Sequence, residues 1–171
     1  MRYGFIGLGN MASAIIRGAI GGGAVQARDV LGYNHHIEKA EALSESCGMR
    51  VCESMAQLSE ESDFIVLAVK PQVLPDVLPK LKPHVAGKRI VSIAAGKTLD
   101  YYEAALGPLP VIRVMPNINA VAGASTSCVC ANAHACEADV AQVCALFASI
   151  GSVTKVPERD FSVFCSVAGC S

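Results

Sequence analysis

Residues 63–69 read DFIVLAV, an apolar run of strand length without a polar residue at every second place. A strand with one wet face alternates, whereas a strand buried on both faces does not. Both sides of this run must therefore be covered, and parallel strands are covered by the helices that connect them. The rest of the chain supplies those partners. Residues 3–6, 29–34, 49–52, 89–95, 110–117, 124–131 and 152–156 read as further strands. Residues 10–20, 37–47, 54–61, 73–85, 98–106 and 134–151 carry helical spacing, with Ile37, Ala40 and Leu43 or Ala42 on one face of 37–47. Ser54 and Thr98 stand where N-caps belong, and Gly21 to Gly23 and Gly151 where helices end. Pro75, Pro79 and Pro83 predict that 73–85 is kinked or split in two. Of the 171 residues, 52% are hydrophobic but only 5% aromatic, so Ala, Val, Ile and Leu must build the core. Alternating strands and helices with short connections predict a doubly wound parallel sheet with right-handed crossovers.

Charge and cysteine usage exclude several functions. Net charge is −1, which predicts no nucleic-acid partner and no anionic membrane surface. No apolar run approaches the roughly 20 residues that span a bilayer. The opening MRYGFIG lacks a secretory signal pattern, so the expected location is cytoplasmic. Eight cysteines and four histidines contain no CxxC pair and no zinc-ligand spacing, so no metal site is expected. Cys128 and Cys130 on a strand, and Cys136 and Cys144 on a helix, read as small buried hydrophobes.

Gly7-Leu8-Gly9-Asn10-Met11-Ala12 has the form GxGxxA between the first strand and the first helix. In that context Gly7 permits the tight turn, Gly9 leaves room for a pyrophosphate, and Ala12 lets the helix pack on the strand. The free amides of the first helical turn favour an anion there. The competing reading is a glycine turn needed for packing alone. The second strand ends GYNHHIEK, with Asn34, His35 and His36 where NAD sites place a carboxylate. Asn34 can donate to a 2′-phosphate, and His35, His36 or Lys39 can add positive charge. NADP(H) is therefore the expected cofactor. Glu38, nearby, keeps NAD(H) open, and solvated histidines are the plain alternative. LAVKPQ (67–72) and SIAAGKT (92–98) end the fourth and fifth strands, where ligands of open parallel sheets sit. Lys70 reaches either phosphate or solvent. Ala94, Ala95 and Gly96 are small enough for a nicotinamide ring to approach the backbone, or simply suit a tight turn.

With these stretches assembled, the chain resembles the pyrroline-5-carboxylate reductase family. The resemblance runs in order through FIGLGNMASAIIRG (5–18), AVKPQ (68–72), SIAAG (92–96) and RVMPN (113–117), and covers nearly the whole chain. It implies a Rossmann-like α/β fold, doubly wound, with a mostly parallel sheet and helices on both faces. It implies a small-molecule substrate, 1-pyrroline-5-carboxylate, reduced to L-proline with NADPH or NADH in the last step of proline biosynthesis. It places cofactor contacts at Ile6, Gly7, Leu8, Gly9, Asn10 and Met11, at Ala68, Val69, Lys70 and Pro71, and at Ile93, Ala94 and Ala95. Asn34 and His35 fall at the adenosine end. Met115, Pro116 and Asn117 fall near nicotinamide and substrate. Two departures stand out: Ile118-Asn119 replaces the family's Thr-Pro, and Met55 replaces a family Asn, leaving Ser54 as the neighbouring substitute. The resemblance divides the chain into a dinucleotide-binding domain (1–156) and a linker with the truncated start of a helical C-terminal domain (157–171). In the family that domain forms the homo-oligomer and completes the substrate pocket. No catalytic acid is evident in residues 1–171, and Asn117 cannot serve as one. The expectation is an NADP(H)-binding chain with little or no reductase activity alone. The alternatives are another imine or β-hydroxyacid-type reductase, or a non-catalytic nucleotide-binding module.

Overall fold

The computed structural model describes residues 1–168; Gly169, Cys170 and Ser171, the end of the apolar tail, lie outside the described residues. Eight strands form one sheet: β1 (Tyr3–Ile6), β2 (Val30–Tyr33), β3 (Arg50–Val51), β4 (Phe64–Leu67), β5 (Arg89–Ser92), β6 (Val111–Met115), β7 (Ser125–Ala131) and β8 (Gly151–Lys155). Their order is β3-β2-β1-β4-β5-β6-β7-β8. All adjacent pairs are parallel except β6 with β7. Only residues 116–124 join β6 to β7, too few for a crossover helix, so the chain must return antiparallel.

Seven helices among the described residues cover the sheet: α1 (Asn10–Gly21), α2 (Ile37–Cys47), α3 (Met55–Glu61), α4 (Leu74–Leu81), α5 (Leu99–Leu106), α6 (Glu137–Ala148) and α7 (Phe161–Ala168). Strand side chains divide by the period of two. Tyr3, Phe5, Phe64, Val66, Val91 and Ile112 meet Ile15 and Ile16 of α1, Leu43 of α2 and Phe147 of α6. On the other face Ile6, Ile65, Leu67 and Ile90 meet Leu58 of α3, Leu78 of α4, Tyr102 of α5 and Phe161 of α7. The DFIVLAV run is thus buried on both faces, as its lack of alternation requires.

Local signals place most boundaries. Ser54 accepts from the Gln57 amide (3.1 Å) and Thr98 from the Tyr101 amide (3.2 Å), each fixing the start of its helix. The proline-rich 73–85 segment splits into α4 and a 3₁₀ turn at Lys82–His84. Three local expectations fail. Ile37 is exposed, and only Ala40 and Leu43 bury the face of α2. Cys136 is exposed because it caps α6 through a reciprocal box with Asp139. Gly151 does not end α6. It opens β8 at φ +146, where a Cβ would collide with the Ser125 carbonyl of β7. Among the described residues no helix is long and apolar enough to cross a membrane.

Candidate cofactor-binding site

The chain winds outward from β1 to β3, then returns to place β4 on the other side of β1. Beyond the carboxyl end of β1 the flanking crossovers diverge, leaving a crevice into which the glycine turn projects. Gly7 adopts φ +92, and a Cβ there would stand 2.8–3.0 Å from Val69 Cγ1 and the Ala68 carbonyl. Packing and backbone conformation therefore both require glycine at position 7. Position 9 is different. Gly9 has ordinary extended dihedrals (φ −75, ψ −176), and a Cβ there would touch nothing within 4 Å. No protein atom needs that space. Gly9 is also the N-cap of α1, with no side-chain cap and no acidic residue in the first turn. The first-turn amides lack intrahelical acceptors and open onto uncrowded space, which suits an anion. A pyrophosphate fits the turn on these grounds.

Asn34 holds the turn in shape. Its Oδ1 accepts the Leu8 amide (3.1 Å), and its Nδ2 donates to the His36 carbonyl (2.9 Å). The Gly7 amide donates to the Tyr33 carbonyl (2.9 Å). The turn is thereby fastened to the tip of β2. Leu8 is buried and contributes its backbone, while His35 and His36 are exposed with ring centroids 5.2 Å apart.

Two cavities flank the turn and share Val69. One, of about 200 Å³, is lined by Ile6, Gly7, Tyr33, Asn34, His35 and Met55, and by Val73, Asp76, Val77 and Lys80 at α4. The other, of about 320 Å³, is lined by Gly9, Asn10, Met11 and Ala12, by Ala68 to Pro71, by Ile93 to Ala95, and by Met115 and Pro116. Most residues expected at the cofactor thus line these two adjoining cavities, a trough with Asn34 and His35 at one end and a nearly chargeless wall at the other. Lys70 is the one cation on that second wall and is exposed. The wall is held from behind: the Ala94 amide donates to Ser92 Oγ (3.2 Å), which is 2.5 Å from the buried Tyr102 hydroxyl. Larger cavities of about 450 Å³ by β8 and 550 Å³ between α1 and residues 118–123 lack a glycine turn at a strand end. The position of the turn, rather than volume, selects the trough.

Besides the buried Leu8, two expected residues stand apart from it. The Ser54 hydroxyl is engaged as the α3 cap. Asn117 is buried, its Oδ1 accepting the Thr126 amide (3.2 Å) and its amide donating to Ser125 Oγ (3.3 Å), so it joins the end of β6 to β7. Met55, at the position of the family Asn, does line the cavity, and Val73, Val77, Asp76 and Lys80 join it without having been expected. Their spacing in sequence carries no sign that α4 lies across the cavity from the β2 tip.

The sequence profile of the family described as NADP oxidoreductase, coenzyme F420-dependent, matches residues 2–96. The chain belongs to this family. The match to the NADP oxidoreductase family holds the glycine turn, the β2 tip, AVKP and SIAAG. Over 170 residues the chain is 36% identical to a pyrroline-5-carboxylate reductase of Methanosarcina acetivorans, covering 98% of this chain and 63% of that protein. The solved pyrroline-5-carboxylate reductase of Coxiella burnetii superposes with a TM-score of 0.95 at 26% identity, covering 99% of this chain and 64% of that one. The Plasmodium falciparum pyrroline carboxylate reductase, solved with NADP bound, gives 0.90 at 26% identity, covering 99% and 63%. The chain therefore spans just under two thirds of the length of these relatives.

Proposed function

We propose that this chain is the NADP(H)-binding part of a pyrroline-5-carboxylate reductase, which reduces 1-pyrroline-5-carboxylate to L-proline in proline biosynthesis. The observation that carries the cofactor half is the unclaimed space at Gly9 above an uncapped helix terminus. The substrate half rests on the relatives, which bear that enzyme's name. Residues 1–156 form the dinucleotide-binding unit in this reading, and 157–171 lead toward the portion of the relatives that the chain does not span.

The roles of the residues follow from their places. Gly9 to Met11 hold the pyrophosphate with backbone amides, while the Gly7 and Leu8 amides, bound to Tyr33 and Asn34, keep that turn rigid. Asn34 and the His35 ring offer hydrogen-bond donors, and Lys80 across the cavity offers a cation beside Asp76, a set that suits a 2′-phosphate and favours NADPH over NADH. Ala94, Ala95, Met115 and Pro116 offer a flat apolar wall that keeps water from one side of the nicotinamide. Lys70 balances phosphate charge at the rim. The bound cofactor supplies a hydride to the imine carbon. A protonated imine accepts hydride better, yet the wall carries no suitable acid. Proton delivery, capture of the substrate carboxylate and self-association are accordingly assigned to the portion of the relatives that this chain does not span.

Fluorescence titration of NADPH and NADH into the chain tests the reading. Saturable binding, tighter for NADPH, with little or no turnover of pyrroline-5-carboxylate is expected. Tighter NADH binding refutes the phosphate assignment, and absence of binding refutes the whole.

A further inference from the structure

The loop from β5 to α5 supplies Ile93, Ala94 and Ala95 to the chargeless wall. Its near end is tied down within the sheet, the Ile93 amide donating to the Leu67 carbonyl (3.1 Å). Its far end is tied down from outside the sheet. The Leu99 amide, in the first turn of α5, has no intrahelical acceptor and donates to Glu158 Oε1 (2.7 Å). Glu158 belongs to the turn after β8. The same oxygen accepts from Arg113 Nη1 (2.5 Å). Arg113 is a buried arginine of β6, two residues before Met115 on the adjoining wall. Its guanidinium lies 4.3 Å from the ring centroid of Phe161, the buried first residue of α7. One carboxylate oxygen thus joins both walls and the start of α7.

Arg113 is buried and Glu158 half-buried, and an ion pair out of water gives no stability that a well-packed apolar pair would not match. This pair does something an apolar pair would not, because its acceptor also fixes a backbone amide and its cation stacks on an aromatic ring. We propose that Arg113 and Glu158 are positioning residues, which set the wall against which the nicotinamide lies and dock α7 onto that wall. The cavity and α7 then move as one unit. The proposal rests on the NADP(H) reading above.

The test uses the 171-residue chain with Glu158→Ala and Glu158→Gln, titrated by calorimetry with NADPH and with 2′,5′-ADP, a probe of the adenosine end alone. Glutamine keeps an acceptor for the Leu99 amide and loses the charge. Glu158→Ala is expected to weaken NADPH roughly tenfold, the worth of one charge-assisted hydrogen bond. It should leave 2′,5′-ADP within about twofold, since the adenosine end shares no partner with Glu158. Glu158→Gln should recover part of the NADPH loss. In cofactor-free protein, Glu158→Ala should speed amide exchange of residues 161–168 by about tenfold or more. Equal weakening of both nucleotides, or unchanged NADPH affinity, overturns the wall assignment. Unchanged exchange of 161–168 overturns the docking. Wild-type protein that binds neither nucleotide refutes the NADP(H) reading instead, and the exchange measurement still decides the docking.

Discussion

Replacing Gly9 by aspartate should separate stability from binding. The protein itself accepts a side chain there: the dihedrals are ordinary and a Cβ meets nothing within 4 Å. Asp is at least as good an N-cap as Gly, by a few tenths of a kcal/mol. The melting temperature should therefore hold or rise by about 1 °C, at roughly 2–4 °C per kcal/mol for a chain of this size. Binding should collapse. A carboxylate about 4 Å from a phosphate charge costs about 4 kcal/mol at an effective dielectric near 20. At about 1.4 kcal/mol per tenfold, NADPH affinity falls by roughly three orders of magnitude. Gly7→Ala is the contrast. It forces a Cβ to within 2.8–3.0 Å of Val69 and Ala68 at φ +92. That costs at least about 1–2 kcal/mol in backbone strain, so the melting temperature drops by several degrees. Thermal melts and calorimetric titration of both variants decide the matter. A Gly9→Asp protein that binds NADPH within about threefold of wild type, or that unfolds like Gly7→Ala, refutes the reasoning.

Asn34→Asp keeps the acceptor for the Leu8 amide but sets a carboxylate against the His36 carbonyl and any 2′-phosphate. The preference for NADPH over NADH should shrink by roughly five- to tenfold, the screened repulsion of two unit charges being about 1 kcal/mol; an unchanged ratio of dissociation constants counts against it. Burial pushes the Cys130 thiol up to about 11, against the opposing pull of Arg113. Iodoacetamide at about pH 8 should accordingly label exposed Cys136 and spare Cys130, as mass spectrometry would show. Because the folded thiol is the weaker acid, its contribution to stability is whole below the unfolded value of about 8.5 and is lost as pH rises toward about 11. Urea midpoints of wild type should fall more steeply over that window than those of Cys130→Ala.

Much of this architecture was legible in residue order because it depends on period and punctuation. The unbroken apolar run at 63–69 implied helices on both faces, and Ser54, Thr98 and the three prolines of 73–85 placed their boundaries through local hydrogen bonds and sterics. The motif assigns Gly7 to the tight turn and Gly9 to pyrophosphate room, and the packing agrees: it demands glycine at 7 and leaves the space at 9 idle. Other features depended on distance. The antiparallel β7 was implied by the short 116–124 connection, but the resemblance of apolar strands to one another hid its direction. Ser54 and Asn117 looked like ligand-facing polar groups, and their hydrogen bonds turned out to close local structure. Val73, Val77, Asp76 and Lys80 line the cavity beside Asn34 only because α4 lies across it from the end of β2. Arg113 was a signal left unread: a lone cation within the apolar VIRVM strand requires a partner, and the half-buried Glu158, 45 residues later, is that partner.

The most direct test of the trough as the nucleotide site is a titration of NADPH into the isotopically labelled chain, followed by backbone amide NMR. Gly7 to Ala12 should show the largest saturable shifts, with smaller ones at Asn34, Ala68 to Lys70 and Ile93 to Ala95. Shifts centred instead on the β8 cavity or on residues 118–123, or no saturable shift at all, would contradict it.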